Sequence, residues 1–302
     1  MRTEVVIGKM KMKNPVMTAS GTFGYGNEYA EFFDLSKLGA INVKGISLEP
    51  MEGNPSPRIC ETPCGMINSI GLQNVGLEAF IREKLSYLRK FRTNIVVNVL
   101  GNTVEEYIRI CERLDEEEID AIELNVSCPN VKKGGISFGV DEYQLAGLLK
   151  DVRRSVKNKT LIVKLSPNVT DIRVFAKVAE EEGSDAISLI NTITAMSIDI
   201  NTRRPKIANL IGGLSGPAIK PIAVRMVWEA FNAVKIPIIG MGGIMNHEDA
   251  LEFILAGASA VAIGTANFVD PESTMKVVEG IGSYMADNDI MDVNTIIGGL
   301  EK

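Results

Sequence analysis

The sequence predicts a (β/α)8 barrel. Eight short apolar runs alternate with helix-length amphipathic segments, and polar residues gather at the C-terminal end of nearly every run. Most of the runs are continuously Val-, Ile- or Leu-rich, as in strands buried on both faces. Strands separated by helices imply βα units and a parallel sheet. Eight such units within 302 residues match a closed barrel, whose active face lies at the strand C-termini. A doubly wound open sheet is the alternative, and the clustering of polar residues at the strand ends favours the barrel.

The elements follow in order. "EVVIGKMKMKNPV" forms a short N-terminal hairpin ahead of the barrel. The strands are "NPVMTAS" (14–20), "AINVKGIS" (40–47), "NIVVNVLG" (94–101), "DAIELNVS" (120–127), "TLIVKLSPN" (160–168), "DAISLINT" (185–192), "KIPIIGMGG" (235–243) and "SAVAIGT" (259–265). Between them lie helical patterns such as "TVEEYIRICERLDEEE" and "DEYQLAGLLKDVRRSV", while the helix expected after the first strand is weak. Three longer excursions, 48–73, 129–140 and 193–214, each follow a strand and so belong to the catalytic face. With no repeat, linker or low-complexity stretch, residues 1–302 read as one domain.

A composition of 45% hydrophobic and 23% charged residues suits a soluble globular chain with a sizeable core. The net charge is −6, with acids and bases interleaved, so nucleic acid is not an expected partner. The N-terminus lacks the apolar region of a signal peptide, and no run is long enough to span a membrane. Four cysteines, Cys60, Cys64, Cys111 and Cys128, fit a reducing cytoplasm. Cys60 and Cys64 find no further cysteine or histidine cluster, so no metal is expected. The single histidine, His247, follows a natural N-cap, Asn246, and reads as a helix-start residue. A histidine-dependent triad is thereby disfavoured.

The strand ends carry the chemistry. They offer Ser20, Lys44, Asn98, Asn125, Ser127, Cys128, Lys164, Asn191 and Thr192. Lysines and asparagines inside a barrel need partners when buried; a lysine there could pair with Glu123 or reach solvent. Together they describe a pocket rich in positive charge and amides, suited to a flat, anionic, hydrogen-bonding ligand. "GMGG" (240–243) and "IGT" (263–265) bring backbone N–H groups close to a ligand, where barrels hold phosphate. "GGLSGPAIKP" (212–221) adds a helix start, with Ser215 expected as cap and Pro217 early in the helix. A phosphate-bearing cofactor follows. The absence of a GxGxxG after the first strand argues against a Rossmann nicotinamide site. Two readings stay open at this level: a Schiff-base lysine, and an inert cysteine at position 128.

The chain resembles the class 1 dihydroorotate dehydrogenases over nearly its whole length. The carrying motifs are "NPVMTASGTFGYG" (14–26), "NVKGIS" (42–47), "GNPSPRICETPCGMINSIGLQN" (53–74), "NVSCPNVKKGG" (125–135), "VKLSPN" (163–168), "NTITAM" (191–196), "GGLSGPAIKP" (212–221), "GMGGI" (240–244) and "AIGTA" (262–266). The resemblance implies an FMN-binding TIM barrel that oxidises dihydroorotate to orotate in pyrimidine synthesis. By matching positions, it makes Cys128 the catalytic base for the C5 proton, with hydride passing from C6 to flavin N5. Lys44 would touch flavin and substrate. Asn68, Ser69, Ile70, Gly71 and Leu72, with Asn125, Asn191 and Thr192, would hold orotate. Ser20, Gly45, Asn98, Asn125, Lys164 and Ile190 would contact the flavin; Gly216, Gly242, Gly243, Gly264 and Thr265 would hold its ribityl-phosphate end.

"RICETPCGMINSIGLQN" and "SCPNVKKGG" resemble the NAD-linked type 1B rather than the fumarate-linked type 1A. That implies one FMN per chain and a second subunit carrying FAD and a 2Fe–2S cluster, assembled as a heterotetramer around a homodimer core. The membrane-bound class 2 enzymes have serine at the position of Cys128. The loop 129–140, with Gly134 and Gly135, is expected to close over the site. Cys60 and Cys64 are expected to be structural thiols, and Cys111 a packed small hydrophobe. Further alternatives are the fumarate-linked enzyme, a Schiff-base aldolase and a catalytically idle binding barrel.

Overall fold

The computed structural model describes residues 1–126 and 138–301. Each of the eight apolar runs contains a strand: β1 Val16–Thr18, β2 Ala40–Asn42, β3 Asn94–Val99, β4 Ala121–Asn125, β5 Thr160–Lys164, β6 Ala186–Leu189, β7 Ile238–Met241 and β8 Ala260–Ile263. They close into a barrel in chain order, β8 returning to β1. Every neighbouring pair is parallel. The open-sheet alternative is thereby excluded. β5 to β8 are buried at every position, which explains their unbroken apolar character: one face packs in the barrel and the other beneath helices.

The strands are shorter than their runs because regular pairing stops before the polar ends. The chain does not stray far, however. Beyond β2, Val43 N–H donates to Val96, Ile46 N–H donates to Asn98, and Ile46 bridges Val99. Lys44 is thus held alongside β3.

Side-chain caps set several helix starts. Thr103 accepts from Glu106 N–H ahead of Val104–Asp115, Asp141 from Tyr143 and Gln144 ahead of Glu142–Ser155, and Asp171 from Arg173 ahead of Ile172–Glu181. Asn246 caps His247–Ala256, as the sequence indicates. After β1 there are only two short 3₁₀ turns, Tyr29–Glu31 and Leu35–Lys37, in keeping with the weak helical pattern there. The amphipathic stretch after β2 coils through a π-helical segment, Phe80–Leu85. Among the described residues no helix is long and apolar enough to cross a membrane.

Two excursions form more order than the sequence suggests. Residues from the β2 and β6 excursions join in one antiparallel sheet in the order Ile193–Ala195, Gly212–Ser215, Gly65–Asn68 and Ile59–Thr62. Its central register pairs Gly213 with Asn68 and Leu214 with Ile67. Long-range pairing of this kind leaves no local sequence signal.

The N-terminal hairpin forms as expected, pairing Val5–Ile7 with Met10–Met12. Its alternation points Val5, Ile7, Met10 and Met12 inward and leaves Val6 exposed. The hairpin closes the barrel end opposite the strand C-termini, because it is tied to strand starts. Thr160 Oγ1, at the start of β5, accepts from Lys9 N–H (2.9 Å) and Met10 N–H (3.1 Å) and donates to the Ile7 carbonyl (3.3 Å). Asn94, at the start of β3, donates to the Lys11 carbonyl. Thr160→Val keeps the shape but strands these groups, so it should destabilise the chain by about 2–4 kcal/mol, read as a shifted urea midpoint with unchanged m-value.

Candidate active site

At the C-terminal end of the barrel the chain encloses a cavity of about 1330 Å³. Of the residues the sequence singles out, Ser20, Lys44, Asn68, Ser69, Ile70, Gly71, Leu72, Asn125, Lys164, Ile190, Asn191, Thr192, Gly216, Gly242, Gly243, Gly264 and Thr265 all line it. Gly45 and Asn98 stand one layer behind, with Asn98 only 1% exposed. Cys128 and residues 127–137 of the expected closing loop lie outside the described residues.

The floor is built from strand ends. Lys164 Nζ donates to Ser20 Oγ at 3.1 Å, linking β5 to the loop after β1. Asn191 Nδ2 donates to Asn125 Oδ1 at 3.3 Å. Tyr107 Oη donates to the Asn125 carbonyl at 2.8 Å, fixing the end of β4 against the helix Val104–Asp115. Burial pushes the Lys44 ammonium below the usual lysine range, and the charges of Lys164 and Arg58 push it further. Arg58 is a group that sequence reading missed. Its guanidinium, held on Gln73 Oε1, adds a third positive charge to this field. Glu123, one candidate counter-charge for a strand-end lysine, is instead taken by Asn42, Asn98 and Ser188.

One wall is the segment 68–72. Asn68 Nδ2 donates to the Gly213 carbonyl at 3.2 Å. Ser69 Oγ accepts from Asn54 (3.1 Å) and Asn209 (2.7 Å). Gly71 has φ +76°, and a Cβ there would lie 2.4 Å from Asn54 N. Leu72 holds φ +60°, a conformation unfavourable for a branched side chain; Asn74 secures its carbonyl at 2.9 Å. The segment 191–194, two strands away in the same sheet, is set by Asn168, which donates to the Thr192 carbonyl (3.1 Å) and accepts from Thr194 N–H (3.0 Å). The supporting roles of Asn54, Asn168 and Asn209 are not readable from local sequence, although the first two lie within the motifs quoted above, because each acts on backbone or side chains distant in the chain.

The far end is made of glycines. Gly216, Gly242 and Gly243 have φ of +97°, +123° and +82°. A Cβ on Gly243 would lie 2.8 Å from the Gly216 carbonyl and 2.9 Å from Lys220 N. Gly264 has no such constraint, since a Cβ there would make only ordinary contact. Ser215 is not a helix cap, contrary to expectation. It ends the strand Gly212–Ser215 and accepts from Thr265 Oγ1 at 2.8 Å, while Gly216 occupies the cap position ahead of Pro217. Pro217 does open the helical segment. Lys220 is turned to Asp249 and Glu252, each at 2.6 Å, so the anion-holding capacity here rests on backbone N–H groups and hydroxyls.

Cys60 and Cys64 line the cavity as free thiols. Cys111 is fully buried, and burial pushes its thiol far above the usual range, with Asp115 and Glu112 adding to the shift. It packs as a small hydrophobe. His247 sits at its helix start against Gly280.

The fold is a (β/α)8 barrel whose strand ends open on a cavity lined by lysines and carboxamides, with closely packed glycines after the seventh strand and a further glycine after the eighth. The chain belongs to the dihydroorotate dehydrogenase family, whose profile matches residues 2–285. It is 58% identical over 301 residues to the catalytic subunit of dihydroorotate dehydrogenase B (NAD(+)) from Thermoanaerobacter sp. (strain X514), covering 100% of this chain and 99% of the relative. Proteins of the same name from Lachnoclostridium phytofermentans and Thermodesulfovibrio yellowstonii are 58% and 57% identical, with 99% of each chain covered. Among solved structures, the dihydroorotate dehydrogenase of Eimeria tenella, in complex with ferulenol, superposes with a TM-score of 0.83. That match has 24% identity and covers 99% of this chain and 88% of the other, a likeness of fold.

Gly243→Ala should weaken a phosphate monoester at the glycine end by about tenfold or more, since the close backbone approach is lost. Isothermal titration with FMN or riboflavin separates the effects: the loss should appear for FMN and be small for riboflavin.

Proposed function

We propose that this chain is the catalytic subunit of an NAD-linked dihydroorotate dehydrogenase, oxidising (S)-dihydroorotate to orotate in cytoplasmic pyrimidine synthesis. The observation that carries the reading is the convergence of Lys44, Lys164, Asn68, Asn125, Asn191 and Thr192 on one cavity in a chain whose curated relatives bear that name along their whole length. FMN fits the site. The cavity has room for a flavin and a small ring, and the floor offers Lys44, Lys164 and Ser20. At the glycine end Gly242 and Gly243 pack too closely against Ala223, Gly216 and Lys220 to take a Cβ without displacing them, leaving bare backbone beside the cavity.

Bound FMN supplies a two-electron acceptor for the hydride leaving C6 of the substrate. The protein residues supply the rest. Lys44 and Lys164 line the cavity and would place positive charge where negative charge on a reduced ring would need stabilising. Carboxamides of Asn68, Asn125 and Asn191 present donors and acceptors to the edges of the orotate ring, which an apolar wall cannot do. Ser20 orients Lys164 through the hydrogen bond they share. Gly216, Gly242, Gly243, Gly264 and Thr265 take the phosphate. Cys128, by the family resemblance, accepts the C5 proton; a thiol with an ordinary pKa of about 8.5 needs activation to serve as a base near neutrality. A second subunit with FAD and a 2Fe–2S cluster, joined with this chain in a heterotetramer, would carry the electrons on to NAD.

The purified protein should be yellow and its flavin should bleach when dihydroorotate is added without oxygen. A protein that stays colourless when offered FMN would sink the reading. Cys128→Ser should slow that bleaching at least about a hundredfold at neutral pH while leaving orotate affinity nearly unchanged; an unchanged rate removes Cys128 as the base. Fumarate turnover by the isolated chain would instead favour the fumarate-linked type.

Lys44 gives a pH signature. Its protonated form is the one that attracts the orotate carboxylate, and its site holds the pKa below the ordinary lysine value. Orotate affinity should therefore be flat near neutrality and fall with rising pH earlier than a solvent-exposed lysine would titrate. Lys44→Arg stays charged and should abolish that alkaline fall. Lys44→Ala should weaken orotate by about ten- to a hundredfold. Flavin difference spectra on titration with orotate read all three.

A further inference from the structure

We propose that Glu123 is a positioning residue for the flavin floor, acting through Asn98; the proposal rests on the FMN reading above. Glu123 is wholly buried inside the barrel. Its Oε1 accepts from Asn42 Nδ2 and Asn98 Nδ2, both at 2.7 Å, and its Oε2 accepts from Ser188 Oγ at 2.7 Å. These four residues belong to β4, β2, β3 and β6. Side chains two residues apart on a strand share a face. Two residues beyond Glu123 on the same strand comes Asn125, which lines the cavity. Lys44 and Ile190, which also line it, follow closely on the ends of β2 and β6. The Glu123 cluster is therefore the layer directly beneath the floor.

A carboxylate accepts and does not donate. Each partner must turn a donor toward it, so a carboxamide in contact has one orientation and not two. Asn42 shows how strong that demand is. Its Nδ2 goes to Glu123, while its buried Oδ1 has no hydrogen-bond partner among the described residues. For Asn98 the same demand turns Nδ2 to Glu123 and leaves Oδ1 against the backbone at Gly45. A Cβ on Gly45 would lie 2.7 Å from that oxygen, so glycine at 45 leaves Oδ1 its place. Glu123 thereby fixes Asn98 with its oxygen, and not its N–H, on the side of Lys44 and Gly45, the polarity that a ring N–H of an isoalloxazine seated there would need. Without the carboxylate the amide is free to present N–H instead, which repels that donor.

The test is FMN affinity of the stripped protein, followed by flavin fluorescence. Glu123→Leu should weaken FMN by about tenfold or more, the loss of one oriented buried hydrogen bond. Glu123→Gln should stay within about threefold of wild type. Its oxygen can serve both asparagines while its NH₂ faces Ser188 Oγ, which turns to accept. In an Asn98→Ala background, Glu123→Leu should cost no further affinity. Unchanged FMN binding by Glu123→Leu overturns the proposal, as does an equal loss in the Asn98→Ala background, which assigns the effect to general packing. Should Glu123→Leu fail to fold, a crystal structure of the FMN-loaded protein decides. Asn98 Oδ1 on a flavin N–H with Nδ2 on Glu123 supports the assignment; the flipped amide, or no contact, overturns it. Wild-type protein that takes up no FMN sinks the flavin reading itself, whereas wild-type binding matched by Glu123→Leu sinks this proposal alone.

Discussion

Everything at the site depends on the fixed register of a closed parallel barrel. Because neighbouring strands are locked by backbone pairing and side chains alternate with a period of two, inward-facing residues stack in layers. Strands that lie far apart in sequence therefore deliver their polar ends to one level. Glu123 and Asn125 occupy successive layers for this reason, and Lys44 and Ile190 line the cavity just beyond the ends of their strands. A slip of one residue in any strand would turn its pair of layer residues out toward the helices.

The electrostatic plan follows from that geometry. Lys44 and Lys164 are brought together with Arg58 at the edge of their field, an arrangement that is unfavourable until an electron-rich or anionic ligand enters. At the other end Lys220 is neutralised by Asp249 and Glu252. Positive charge is thus concentrated where a ring and a carboxylate would sit, and the tail of the ligand is met by amide dipoles. This separation makes orientation of a long ligand a matter of charge at one end and close backbone approach at the other.

Much of this was legible in the sequence. Apolar runs of the right length gave all eight strands, strand-end asparagines, lysines and glycines gave the polar floor and part of the glycine end, and the segment 68–72 came from the family resemblance. Local signals were reliable where local physics decides, as at Asn246, whose side chain caps its helix. They misled at Ser215, where a cap-like pattern is overridden by strand pairing with residues 65–68 and by Thr265. They were silent on Asn54, Asn168, Asn209 and Arg58, whose partners lie far along the chain or in irregular backbone. Sequence also offered Glu123 as a lysine's counter-ion. Only the three-dimensional layer shows that it answers to two carboxamides and a hydroxyl.

The sheet that joins the β2 and β6 excursions has a consequence for how such a chain can change. β2 and β6 stand on opposite sides of an eight-stranded ring, yet the segments that follow them share ladder hydrogen bonds across the mouth, with Gly213 opposite Asn68. An insertion or deletion in one partner shifts the register of the other. The two segments can therefore be exchanged without loss of pairing only as a matched pair. Substrate preference in this scaffold would diversify by exchanging that pair whole, while the single-strand loops around it vary independently.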